Sequence, residues 1–259
     1  DRHALLDAAL EQGQDLGLFR IGLEHCGTDA RGRGQRAEIL NDLSALKSQL
    51  GQYDEALATA EEAQALKRAL PDTPPREIAL GYSNIASALD GLQRFDEAYA
   101  AYTEALRRLE AIAPAPELDI SIALNNLAFL QNERGSTDEA IALQERSIAL
   151  RRKVMGPDYP RLVVPLSNLA QQYAKVGRHE EAATLMRDAL RLAPQAYPGG
   201  DDQMLGHLLT AAALIAQARG DRPEAAMQAK RALAVYDHAE AVEPGRREKA
   251  QAILDAVRD

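Results

Sequence analysis

Apolar residues recur at helical spacing in four successive stretches: Leu40, Leu43, Leu46 and Leu50; Tyr82, Ile85, Ala86 and Leu89; Leu124, Leu127, Ala128 and Leu130; Leu166, Leu169, Ala170 and Tyr173. Spacings of three and four put each set on one helix face, directed at a neighbouring helix and not at water. Each stretch runs into a short polar signature: Gly51-Gln-Tyr-Asp-Glu-Ala56, Gln93-Arg-Phe-Asp-Glu-Ala98, Gly135-Ser-Thr-Asp-Glu-Ala140 and Gly177-Arg-His-Glu-Glu-Ala182. A fifth copy follows, Gly220-Asp-Arg-Pro-Glu-Ala225. The Gly or Gln suits a left-handed turn between two helices. Asp54, Asp96 and Asp138 fall where the second helix begins and its dipole favours an acid. The closing alanines let paired helices approach, and a larger side chain there overpacks the contact.

Those alanines are 42, 42, 42 and 43 residues apart. Such a period predicts an all-α array in which each unit buries its apolar face only against its neighbours. The expected division is one array over 1–259: a degenerate opening repeat at 1–34, repeats at 35–76, 77–118, 119–160, 161–202 and 203–244, and a capping helix at 245–259. Proline clusters at Pro71, Pro74 and Pro75, at Pro114 and Pro116, at Pro157 and Pro160, and at Pro194 and Pro198 are expected to stop each second helix. Leu5–Leu10 and Leu16–Cys26 read as helices of the opening repeat, and Gly27–Gly34 as the loop after them. In the last segment Ala250, Ile253, Leu254 and Val257 share one face, as a cap needs.

The pattern of leucine or aromatic, small, glycine and alanine positions over about 35–240 resembles the tetratricopeptide repeat (TPR), whose usual unit has 34 residues. The 42-residue period, Gly156-Pro-Asp-Tyr-Pro160 and Ser167-Asn-Leu-Ala170 resemble the longer subtype of kinesin light chains. The resemblance implies a right-handed superhelical α-solenoid of antiparallel helix pairs. It also implies a protein-interaction scaffold that grips a peptide or partner segment in a concave groove walled by the first helices. In peptide-binding relatives an asparagine of the first helix bonds the ligand backbone, and Asn84, Asn126 and Asn168 stand at that position. A side-chain amide both donates and accepts, so it reads a peptide unit without side-chain preference. Asn is a poor helix former, so its recurrence in mid-helix calls for a reason. The first unit has Asp42 there and the fifth Ala211. Ser87, Asn125, Phe129, Asn132, Gln171 and Lys175 complete the expected groove, with Leu80, Ile122 and Val164 stacked across repeats. Relatives that clamp a carboxylate tail place Lys or Arg where this chain has Leu80, Ile122 and Val164, so that activity is not expected. Glu38, Asp42, Asp90 and Glu133 against Lys175 make the wall lean acidic, and a neutral or basic ligand is expected.

A net charge of −9 argues against a nucleic-acid backbone as partner. No apolar run is long enough to cross a membrane, and no signal peptide opens the chain. Cys26 is the single cysteine, which fits a reducing, cytoplasmic location. The first residue is Asp1, and the expectation is a piece of a larger regulator, with any targeting segment elsewhere. No enzyme, cofactor or metal is expected. His25 and Cys26 are adjacent on a helix and point apart. Gly27–Gly34 lacks the strand and the Gly-Lys-Ser/Thr ending of a phosphate loop. The histidines are scattered, and the carboxylates of Pro198-Gly-Gly-Asp-Asp202 read as solvated. The alternatives are a structural assembly or dimerisation module and a signal-peptide or small-molecule sensor.

Overall fold

A computed structural model describes residues 16–197, 202–238 and 245–257. The expected helix at Leu5–Leu10 and the Pro198–Asp201 stretch lie outside the described residues. Described residues form twelve α-helices and no strand. The chain divides into two compact units, 1–130 and 131–259. Unit 1 holds α1 (Leu16–Glu24), α2 (Ala30–Gln49), α3 (Tyr53–Ala69), α4 (Pro75–Gly91), α5 (Phe95–Glu110) and most of α6 (Glu117–Glu133). Unit 2 holds α7 (Thr137–Met155), a 3-10 turn at Pro160–Leu162, α8 (Val163–Lys175), α9 (His179–Ala196), α10 (Asp202–Ala218), α11 (Arg222–His238) and α12 (Arg246–Ala256). Consecutive helices pair: α2 with α3 and α4 with α5 in unit 1, α8 with α9 and α10 with α11 in unit 2.

The turn inside each pair is built the same way five times. Gly51, Gln93, Gly135, Gly177 and Gly220 have positive φ, and Gln93 is the one non-glycine among the described residues to do so. The following N–H groups reach back five residues, Gln52 to Lys47 O, Arg94 to Leu89 O, Ser136 to Gln131 O, Arg178 to Tyr173 O and Asp221 to Ala216 O, all at 2.8–2.9 Å. That closure satisfies carbonyls left open by the helix end. The next helix then opens on its acids, Asp54 and Glu55, Asp96 and Glu97, Asp138 and Glu139, Glu180 and Glu181.

The signature alanines 56, 98, 140, 182 and 225 are all fully buried. Seven residues on, Ala63, Ala105, Ser147, Ala189 and Ala232 are buried as completely. Two small residues two turns apart give each second helix a narrow stripe along which another backbone can approach. First helices answer with Ser44, Ala86, Ala128, Ala170 and Ala213, also at most 1% exposed. Leu124, Leu130, Leu166 and Leu192 fill the remaining volume. At the end of unit 2, Ala250, Ile253 and Leu254 of α12 are buried against α10 and α11, as expected of a cap.

Three expectations need correction. Ala30–Gly34 of the expected Gly27–Gly34 loop is helix, because the Asp29 carboxylate accepts the Gly32 N–H at 2.7 Å and starts α2 at Ala30. A Cβ on Gly32 would stand 2.1 Å from Gly27 O, so only glycine allows that approach. Pro194 does not stop α9, which runs to Ala196. Proline removes one hydrogen bond near the helix end, while Leu192 and Ala193 are held in the core and Tyr197 N still reaches Ala193 O. Leu50 is half-exposed at the C-cap of α2 and not part of the buried stripe.

Candidate functional site

In unit 1 the candidate face is made by α4 and α6. The carboxamide of Asn84 donates from Nδ2 to Asn41 O of α2 at 3.2 Å. It thereby bridges two successive first helices, and part of its capacity is spent on the protein. Asn41 is a shared acceptor: its Oδ1 takes the ammonium of Lys67 at 3.0 Å, and Lys67 also lies 3.4 Å from Glu77 O. Lys67 is only 4% exposed, a cation that burial tolerates because its donors are met.

Asn126 is held from the second helix. The phenol of Tyr102 on α5 is 3% exposed and hydrogen-bonded to both Ser87 and Asn126. Its acidity is pushed up to about 12, first by burial and then by the charge of Asp90, while the bonds to Ser87 and Asn126 act the other way. Asn125 Nδ2 adds a long contact to Asn126 Oδ1 at 3.4 Å. Two expected ligand residues therefore meet on one buried hydroxyl. Phe129 stands apart, 50% exposed, as does Ile122 at 44%, although Leu124, Leu127, Ala128 and Leu130 beside them are buried. Arg76 of α4 pairs with both carboxylate oxygens of Asp119 on α6, tying the same two first helices at their starts.

In unit 2 the equivalent positions are looser. Asn168 is exposed on α8, as are Val164 and Lys175. Gln171 folds back on its own helix, with Nε2 3.4 Å from both O and Oγ of buried Ser167. Asn132 is half-buried at the end of α6. In the fifth repeat Ala211 takes the asparagine's place and is buried. Lower on α8, the Tyr173 hydroxyl bonds Glu145 and the Arg178 guanidinium lies 3.8 Å over its ring. Burial, followed by the bond to Glu145, pushes that phenol up to about 12.

Sequence reasoning missed Tyr102, Asn41 and Lys67. None recurs at the repeat period, so periodicity carried no signal for them. Among the described residues no cluster of His, Cys, Asp and Glu could hold a metal, and no helix is long and apolar enough to cross a membrane.

Paired helices, five like turns and small-residue stripes define a helical-repeat protein. Family models described as tetratricopeptide repeat match residues 36–74, 79–108, 119–195 and 164–238, and the chain belongs to that family. No curated protein matches the sequence. Among solved structures it is similar to BtubC (BKLC) from P. vanneervenii, at 19% identity and TM-score 0.76 over 88% of this chain and 92% of that one. It is also similar to nearly identical TPR-like repeats named for a kinesin light chain of Podosopora anserina, at 21% identity and TM-score 0.62 over 79% and 97%. A third is YrrB, a TPR protein described as having an unusual peptide-binding site, at 14% identity and TM-score 0.56 over 90% and 96%. At these identities the likeness is one of fold.

Proposed function

We propose that the protein is a binding scaffold that takes an extended peptide segment of a partner protein against its first helices, the groove side of such repeats. The observation that carries this reading is exposed apolar surface on first helices: Ile122 and Val164, 42 residues apart, and Phe129 stay 42–50% exposed, while Leu124, Leu127 and Leu130 of α6 and Leu166 and Leu169 of α8 are buried. Side chains placed in this way gain by covering, and the amides beside them can meet a peptide backbone. YrrB supports the reading by analogy of fold. Asn168, Gln171, Lys175 and Asn132 serve this role in unit 2. In unit 1 Phe129 is the anchor, and Tyr102 presets Asn126 and Ser87. The same proposal includes a protein and not a nucleic acid or membrane as partner, a cytoplasmic location, and no catalysis. The net charge of −9 and the lone cysteine support the first two.

Selection from a random peptide library on the wild-type protein tests this reading. Recovered peptides are expected to bind Phe129→Ala and Asn168→Ala more weakly. Recovery of no peptide, or peptides indifferent to both changes, would overturn it.

A further inference from the structure

Unit 2 contains a cavity of about 290 Å³ between α9, the C-terminal half of α10 and the N-terminal half of α11. Of its apolar lining, Met186, Ile215 and Ala216 are buried, and Ala183 and Leu190 are half-buried. It shares no residue with the first-helix face described above.

Three side chains that are short relative to earlier repeats open this space. Ala216 stands 43 residues after Tyr173, and the same place in the repeats before holds Lys47, Leu89 and Gln131. Ala212 follows Leu43, Ile85, Leu127 and Leu169 in register, and Ala183 follows Ile141. Where large side chains are lost and the helices do not collapse onto the gap, a void remains.

The preceding repeat shows what fills such a place. Tyr173 is 8% exposed, its hydroxyl bonds Glu145, and the Arg178 guanidinium lies 3.8 Å over its ring. Two other members of the series also end in a donor, and both reach the glutamate that precedes the signature alanine. Lys47 Nζ donates to Glu55 at 2.9 Å, and Gln131 Nε2 donates to Glu139. Glu224 is that glutamate in the fifth repeat, and it lines the cavity. Its Oε1 accepts from Gln228 Nε2 at 2.7 Å, and a carboxylate has lone pairs for a further donor. Ala216, eight residues before it, has no side-chain group to donate.

The charges around the space choose among donor-tipped side chains. Arg187 and Arg219 line it together with Glu180, Asp221 and Glu224, so an ammonium would enter beside two cations. A phenol carries no charge. Its ring can lie against the Met186 thioether and under a guanidinium, as Tyr173 lies under Arg178. Arg219 Nε is 3.0 Å from Glu180 Oε1, and with Glu180 80% exposed this pair gives way at little cost.

We propose that this cavity takes a tyrosine side chain of a partner protein, its ring in the space left by Ala183, Ala212 and Ala216 and its hydroxyl on Glu224. The site is additional to the first-helix face and uses none of the residues of the peptide-binding reading.

The test is a titration of wild type with N-acetyl-tyrosinamide, followed by the backbone amide signals in nitrogen–proton correlation spectra, beside the phenylalanine and lysine counterparts. Saturable shifts at Ala183, Ala212 and Ala216 are expected with a Kd of about 1 mM, as suits so small a probe. The phenylalanine probe should bind about fivefold more weakly for want of the hydroxyl, and the lysine probe more weakly still. Glu224→Ala should bring the two aromatic probes within about twofold of each other. Ala216→Tyr fills the space from within and should weaken the tyrosine probe by about tenfold or more. Ala183→Ile, at a half-buried position, carries the same test if Ala216→Tyr does not fold. Phe129→Ala and Asn168→Ala should leave probe binding unchanged. An absence of shifts at the three alanines, a preference for the lysine probe, or binding that survives the filling substitution overturns the inference and leaves the peptide-binding reading intact.

Discussion

Asn126 and Asn168 occupy the same place in successive repeats, yet their surroundings differ. Asn126 in unit 1 is hydrogen-bonded to a buried tyrosine that also holds Ser87, and Asn84 in the same unit donates to Asn41 of the preceding first helix. Asn168 in unit 2 is exposed on α8. The difference shows that register fixes where a side chain points, while its neighbours on the second helix decide what it does there. An amide with one side occupied by the protein is oriented in advance, at the cost of having less capacity left for a ligand.

The largest effects should appear where the units do not differ. Ala98→Leu in unit 1 and Ala182→Leu in unit 2 each place a larger side chain at a fully buried helix contact. Each should lower stability by about 1–3 kcal/mol in urea melts. A tolerant Ala182→Leu beside a damaging Ala98→Leu would mean that the repeats are not packed alike.

Next in size is Tyr102→Phe, which leaves Asn126 and Ser87 without their shared hydroxyl. The expected loss is about 1–2 kcal/mol, measured the same way. Titration sharpens the point. The Tyr102 phenol is pushed up from 10.0 to about 12, so its neutral form is favoured in the fold. The stability it contributes is complete below pH 10 and is lost as pH rises through about 12. Alkaline unfolding should therefore be less steep in Tyr102→Phe than in wild type, and identical curves would remove Tyr102 from the account.

Smaller still is the direct contrast between the amides. Asn126→Ala should cost about 0.5–1.5 kcal/mol of stability through the lost bond to Tyr102. Asn168→Ala should stay within about 0.5 kcal/mol of wild type, as exposed substitutions usually do. Equal losses at both positions would dissolve the distinction.

The fold was legible in the sequence because its determinants repeat. The positive-φ turns, the acids after them and the buried alanines are all local and recur at 42 or 43 residues. A second small-residue series seven positions later was equally visible and carries as much of the packing. Pro194 and Gly32 were misread because each depends on a contact: the core that holds the end of α9, and the backbone of Gly27 that crosses Gly32. Of the candidate site, register was legible and partners were not. Tyr102 and Lys67 come from second helices, break the period, and act on residues distant in sequence.

The central claim is that first-helix side chains contact a peptide ligand, and the most direct measurement is calorimetric titration of one library-selected peptide into wild type and Asn168→Ala, with a thermal melt of each. The predicted result is an affinity lower by about two- to tenfold, the equivalent of one neutral hydrogen bond, with an unchanged melting temperature. An unchanged affinity with a lowered melting temperature would contradict it and make Asn168 a structural residue.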